Sequence, residues 1–393
     1  MLFKKNELKY LWPFYLSTLV VSITSVVIPF MVLYFRELHF SFFQISILFA
    51  GFGISMFLFE VPTGALADNI SRKLSVTLGY FLAGIFTILM GIFSNFYIIL
   101  LIMIFVGISM TLMSGAEEAW VVDNLKAKKS AHLQHDYFVK SMSIRGIGAV
   151  AAIIGAIIAK NLSLNLLWYV WGIGFIITGI IFLNTQEYYK PKIIKNNSLK
   201  ELFLTSKEGF IFALNNKQIF LLILASLFIS ISSEAHSGWD IFLINLTLPK
   251  HALGYVYFFV GVLTALSPFI SNYFKKFKIN HSLAIVSLLN FITMFVVFFV
   301  FSPHFIYGAI AFIAYNCVFS IQYPIEQNYL HKQLKSHNRA TIISLKNMIT
   351  QFVIFIPGLL IGHLMDIIEL RIVIGTLGLF SLVAALIYLK LKD

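Results

Sequence analysis

Charge is scarce in this chain. Only 12% of its 393 residues are Asp, Glu, Lys or Arg, about half the share in soluble domains, while 59% are hydrophobic. Mean hydropathy is +0.88. A soluble fold of this length could not hide so much apolar surface. Cysteine is all but missing, since Cys317 stands alone, and an internal disulfide is excluded. No nucleotide loop, metal cluster or nucleophile triad is present, so the chain is expected to be no enzyme and to need no cofactor or metal. Acid is the scarcer sign of charge, 17 groups against 29 Lys and Arg, for a net charge of +12.

What the chain has is about twelve apolar runs, each roughly 20 residues long and able to span a bilayer as a helix. Lipid offers backbone amides no partners, so only helices or closed barrels can cross it. Unalternated runs such as Ile98–Met113 exclude the barrel. The spans are expected at 11–34, 44–66, 74–94, 97–122, 139–160, 164–184, 218–247, 252–273, 281–301, 305–330, 341–363 and 371–389. With a cytoplasmic N-terminus, nearly every basic residue falls inside, and Arg36, Lys160, Lys250 and Arg371 fall outside. That is the asymmetry of short loops in oriented membrane proteins, and it places both termini in the cytoplasm. The positive surplus then meets anionic lipid rather than nucleic acid. The first run is too long for a cleaved signal and is the first span. Usage rich in Lys, Ile, Asn and Phe suggests a bacterial chain, hence its cytoplasmic membrane.

Between the second and third runs lies Phe59-Glu60-Val61-Pro62-Thr63-Gly64-Ala65-Leu66-Ala67-Asp68-Asn69-Ile70-Ser71-Arg72-Lys73. Gly64 would permit close helix contact, Asp68 could accept from helix N-terminal amides, and Arg72 and Lys73 could pair with carboxylates at the cytoplasmic rim. This stretch resembles the signature loop of the major facilitator superfamily, in its bacterial drug-exporter-like branch. The resemblance implies an all-α membrane protein of twelve transmembrane helices in two pseudo-symmetric six-helix bundles. It also implies a cytoplasmic gate in which Asp68 and Arg72 link to a carboxylate ending helix 4, the place held here by Asp123. Glu60 sits near the same rim. Departures are visible: Asn69 and Ser71 replace a usual basic residue and glycine, and the second-half loop Asn272-Tyr-Phe-Lys275-Lys276 has no aspartate. Thr111 falls near the place of an arginine that many proton-coupled members carry in helix 4. Helix 5 keeps only Gly146, Gly148 and Gly155 of the antiporter run.

Residues 1–184 and 218–393 form the two expected bundles, joined by a cytoplasmic linker at 185–217. Ser198 and Glu201 there look like a capping box opening an amphipathic helix, Leu199–Leu214. Weak internal repetition supports the halves. Glu118 and Glu326 stand near the ends of helices 4 and 10, a cation follows in each next helix (Arg145, Lys346), and glycine follows later (Gly155, Gly358).

Ionisable side chains at bilayer depth are costly unless paired or wetted, so each is a functional candidate. They are Glu117, Glu118, Arg145, Glu234, His236, Asp240, Glu326 and Lys346. Glu118 and Arg145 should lie at similar depth, as should Glu326 and Lys346, giving two symmetry-related ion pairs. These are either static ties or switchable ones. Glu117 competes with Glu118 for Arg145, because helix neighbours point about 100° apart. In helix 7, His236 and Asp240 share a face while Glu234 lies nearly opposite. Gly238 and the serines around it could loosen this helix. Trp120, Trp239 and Tyr323 adjoin the charges and are candidate cavity residues.

These features together suggest a monomeric secondary active transporter working by alternating access. Its partners would be a small-molecule substrate, protons and membrane lipid. The loop's likeness leans toward proton-coupled efflux of a drug-like or amphiphilic compound, and the acids suit a cationic or polar solute. A proton-coupled importer of a nutrient or metal chelate, a lipid flippase and a non-transporting receptor are the alternatives.

Overall fold

The structure is a computed structural model that describes residues 4–188, 216–333 and 355–392. Among those residues it is helical throughout, with no strand. Ten of the described helical segments are long and apolar enough to cross a membrane. Two further helices, Leu253–Ser271 and Phe355–Ile367, fall where the sequence predicts the eighth and eleventh spans. The expected linker helix Leu199–Leu214 and the cation Lys346 lie outside the described residues.

In chain order the helices are α1 (Glu7–Thr24), α2 (Met31–Glu37), α3 (Phe42–Asn69), α4 (Arg72–Met90), α5 (Phe96–Met113), α6 (Ala116–Ala127), α7 (Gln134–Arg145), α8 (Gly148–Asn161) and α9 (Asn165–Leu183). They continue as α10 (Lys217–Ser233), α11 (His236–Asn245), α12 (Leu253–Ser271), α13 (Ile279–Phe295), α14 (Phe305–Gln333), α15 (Phe355–Ile367) and α16 (Leu370–Tyr388). The starts obey local chemistry. Asn95, Asn216 and Ser71 each turn a side-chain oxygen onto otherwise orphaned amides of the helix that follows.

The chain divides into two compact units. The first comprises Met1–Phe40, Ile47–Lys195 and Lys250–Phe258; the second comprises Ser41–Ser46, Asn196–Pro249 and Phe259–Asp393. The first unit's core gathers Leu11, Phe14, Trp120, Val121, Tyr137 and Phe182. The second gathers Leu222, Leu283, Ile325, Tyr329 and Tyr388. Between apolar spans there is little hydrophobic gain over lipid, so close backbone approach carries the packing. Gly84 of α4 and Gly172 of α9 do this reciprocally: a Cβ on either would stand 2.8–2.9 Å from the other's carbonyl oxygen.

Four predicted continuous spans are in fact interrupted. The first breaks at 25–27, the fourth at Ser114–Gly115, the fifth at Gly146–Ile147 and the seventh at Glu234–Ala235. Gly115 takes φ +66°, ψ −36°, towards the strained classic γ-turn, a conformation that costs an L-residue about 1–3 kcal/mol. Hydropathy is blind to such breaks, because a two-residue interruption leaves the window average unchanged.

Candidate functional site

Of the charges predicted at bilayer depth, Glu117, Glu118, Arg145, Glu234 and His236 stand at or beside the breaks, whereas Asp240 and Glu326 lie within helices. Glu117 and Glu118 occupy the first turn of α6 just past Gly115, Arg145 ends α7, and Glu234 sits between α10 and α11. Broken helices of this kind are found where transporters hold ions and polar solutes, since backbone freed from the helix must line a polar space.

In the first unit, one of the two adjacent glutamates faces inward. Glu117 points into the bundle and accepts a hydrogen bond of 2.8 Å from Tyr80 Oη. Glu118 is exposed, as is Arg145. The expected Glu118–Arg145 ion pair is not formed: neither side chain makes a hydrogen bond or ion pair among the described residues. Both residues stand beside a helix break, where depth counted along a straight helix no longer fixes a partner. Glu60 accepts from Ser114 Oγ at 3.1 Å, tying α3 to the break in the fourth span.

The second unit holds Glu234 half-buried, with neither hydrogen bond nor ion pair among the described residues. Its carboxylate lies 3.0 Å from the place a Cβ on Gly358 would take, so α15 passes it in backbone contact. His236 is exposed, its ring 5.8 Å from that of Phe312, whereas Asp240 on the same helix is only 2% exposed. Glu326 is buried and accepts from Ser226 Oγ, while Gln322 Nε2 donates 3.3 Å to Tyr388 Oη nearby. The predicted partner of Glu326, Lys346, lies outside the described residues.

Two expected cavity residues are not at an open surface. Trp120 is fully buried, edge-on to Phe14 at 5.1 Å, and Trp239 is fully buried against Phe312 at 5.2 Å. A large ring close to a charge along a helix need not share its face, because near neighbours in sequence point in different directions. Tyr323, by contrast, is 65% exposed. An apolar crevice of about 290 Å³ lies among Ile231, Pro357, Leu364, Val373 and Phe380. It offers a solute almost no polar contact and so is a poor candidate for recognition.

At the α3–α4 junction, Arg72 bonds to Asp68 at 3.2 Å and to Asp123 at the end of α6. Around Gly64, a Cβ would meet nothing within 4 Å among the described residues. Asp68 does not cap the following helix. That role belongs to Ser71 and to Glu187, which lies beyond the sixth span where no local pattern marks it. Lys73 Nζ donates to the Leu183 carbonyl at 2.7 Å rather than to a carboxylate.

The pattern of sequence described as Major Facilitator Superfamily matches residues 14–358. The chain belongs to that superfamily. It is therefore a multi-pass membrane protein and a secondary transporter that binds a small-molecule substrate, not an enzyme. Among relatives, it is 27% identical over 384 residues to the MFS-type transporter YxaM of Bacillus subtilis, covering 93% of this chain and 92% of that one. It is 22% identical to the MFS-type transporter MJ1560 of Methanocaldococcus jannaschii, with 93% of each chain covered. Among solved structures, the nucleoside transporter NupG matches with a TM-score of 0.80 at 15% identity over 99% of both chains. A bacterial homologue of the iron transporter ferroportin matches at 0.73 and 15% identity over 96% and 97%. At such identities these structures share the fold alone.

Proposed function

We propose that this superfamily member expels a small drug-like or amphiphilic compound across a bacterial cytoplasmic membrane in exchange for protons, by alternating access, with both termini in the cytoplasm. The carrying observation is Glu234, a carboxylate at a helix break within a span, with neither a donor nor a cation among the described residues. An acid left so is expensive unless it exchanges a proton or meets a cargo. Glu117, Glu118, Glu326 and His236 complete the proposed coupling set. Arg145, exposed and unpaired among the described residues, is the available counter-charge. Arg72, held between Asp68 and Asp123, serves as a cytoplasmic latch that releases during each cycle.

The test uses everted membrane vesicles whose lumen is acidified by respiration, so that protons flow outward, and ethidium as the probe. Wild-type protein accumulates ethidium in the vesicles, whereas Glu234→Gln lowers the rate about 100-fold at unchanged expression. Gradient-driven accumulation that survives Glu234→Gln would overturn the coupling role. Accumulation only in right-side-out vesicles would overturn the direction.

Uptake is the second reading. It is favoured by the missing helix 4 arginine and helix 5 antiporter run, and its cargo class is suggested by NupG, a nucleoside transporter. Proton-driven uptake of uridine by right-side-out vesicles, with no ethidium flux, is its signature.

A further inference from the structure

The residues Gln186–Tyr188, just past the sixth span, grip both sides of the Arg72–Asp123 bridge. From one side, the Glu187 carboxylate accepts from the start of α4: Ser71 Oγ at 2.5 Å, the Arg72 amide at 2.9 Å and the Lys73 amide at 3.2 Å. From the other side, Asn124, the neighbour of Asp123, donates its Nδ2 to the Gln186 carbonyl and accepts from the Tyr188 amide, both at 2.9 Å. Lys128 Nζ caps the Tyr188 ring at 3.7 Å from its centroid. The segment thus alternates. The backbone of 186 and 188 holds the end of α6, and the side chain of 187 holds the start of α4.

We propose that Gln186–Tyr188 is a splint across the latch, with Glu187 a positioning residue that acts through Arg72. The proposal rests on the reading of Arg72 as a cytoplasmic latch. Arg72 reaches Asp123 only if the first turn of α4 stays at a fixed spacing from the last turn of α6. Those two turns belong to different helices with no covalent tie nearby, and the splint is a chain segment that bonds to both. A carboxylate at a helix N-terminus also suits the partial positive charge of the free amides there. The net effect is that the chain leaving the sixth span is built into the latch.

The test is ligand-free and uses the full chain in proteoliposomes, with Cys317→Ser as background and single cysteines placed at the exposed positions Met142 and Tyr323 as maleimide reporters. Arg72→Ala is the reference. Glu187→Ala is expected to shift reporter labelling in the same direction by about tenfold, the factor one charge-assisted hydrogen bond commands. Asn124→Ala should shift it about threefold. The double variant Arg72→Ala/Glu187→Ala should label no differently from Arg72→Ala alone. If Arg72→Ala moves the reporters and Glu187→Ala does not, or if the two effects multiply, the splint is refuted. If Arg72→Ala itself moves neither reporter, the latch reading fails instead. Should Glu187→Ala not fold, Asn124→Ala makes the same discrimination from the other side of the bridge.

Discussion

Glu7 and Glu234 are both sunken carboxylates, and they could hardly be housed more differently. Glu7, at the start of α1, is fully buried and saturated. Lys140 Nζ donates to both its oxygens at 2.6 and 2.7 Å, Tyr15 Oη donates at 2.8 Å, and the Lys4 amide donates at 2.7 Å. Glu234 has none of this among the described residues. A carboxylate with four donated bonds is spent on structure, because every lone pair that matters is committed. One with none among the described residues has the setting that the proposed proton exchange requires. Both units also use a glycine against a break. A Cβ on Gly155 would stand 2.5 Å from the Val26 carbonyl, and one on Gly358 would stand 3.0 Å from the Glu234 carboxylate. The same close approach thus seals backbone in the first unit and presents an acid in the second.

The sharpest way to break that comparison is to strip one acid and then the other. Lys140→Met leaves Glu7 buried with its main counter-charge gone and is expected to cost about 2 kcal/mol. In a thermal-unfolding assay in detergent that is a midpoint fall on the order of 5 °C. Glu234→Gln should leave the midpoint within about 1 °C while abolishing coupled flux. A stable Lys140→Met protein, or a Glu234→Gln protein that melts early, would erase the distinction between structural and working acids.

Much of this is legible in the sequence. Long apolar runs announce the spans because lipid forces every backbone group into a helix, and Glu117, Glu234 and Arg145 stand out because charge inside such runs is rare. The Asp68–Arg72–Asp123 set can be placed because its spacing belongs to a familiar loop. Three things are not legible. The break at Ser114–Gly115 leaves no trace in hydropathy, and the serines and Gly238 around Glu234–Ala235 hint at a loosened helix without placing the break. The Glu187 clamp joins residues more than a hundred positions apart, and no local period encodes it. Glu7 sits among Lys4, Lys5 and Lys9 and looks like a solvated end, although its partner Lys140 comes from a distant helix. The absent Glu118–Arg145 pair belongs to the first of these, since depth along a straight helix fails once the helix is bent.

A middle-sized effect is expected at the fourth span, where the first unit has a break and the corresponding α14 of the second runs unbroken for 29 residues. Gly115→Ala meets no steric obstacle among the described residues, where a Cβ would find nothing within 4 Å. Its expected cost is that of the backbone, about 1.5 kcal/mol, or a midpoint fall of about 4 °C. If the substitution proves neutral, the break is not held by this glycine. If it straightens the helix, Glu118 and Arg145 should come into register, and crosslinking of cysteines placed at the two positions would rise.

The smallest effect probes Glu117, which stands between the two extremes with one donor among the described residues, Tyr80 Oη at 2.8 Å. Tyr80→Phe removes that donor and keeps the ring, which packs 5.4 Å from Phe182 and 6.1 Å from Phe175. The expected loss is about 1 kcal/mol, a midpoint shift of about 2–3 °C, with coupled flux retained within about threefold. Because the ring contacts survive, any larger loss of flux would mean that the hydroxyl takes part in transport itself. Glu117 would then move from the structural side of the comparison to the side of Glu234. An unchanged midpoint with unchanged flux would instead show that water replaces the hydroxyl and that Glu117 needs no protein donor to stay where it is.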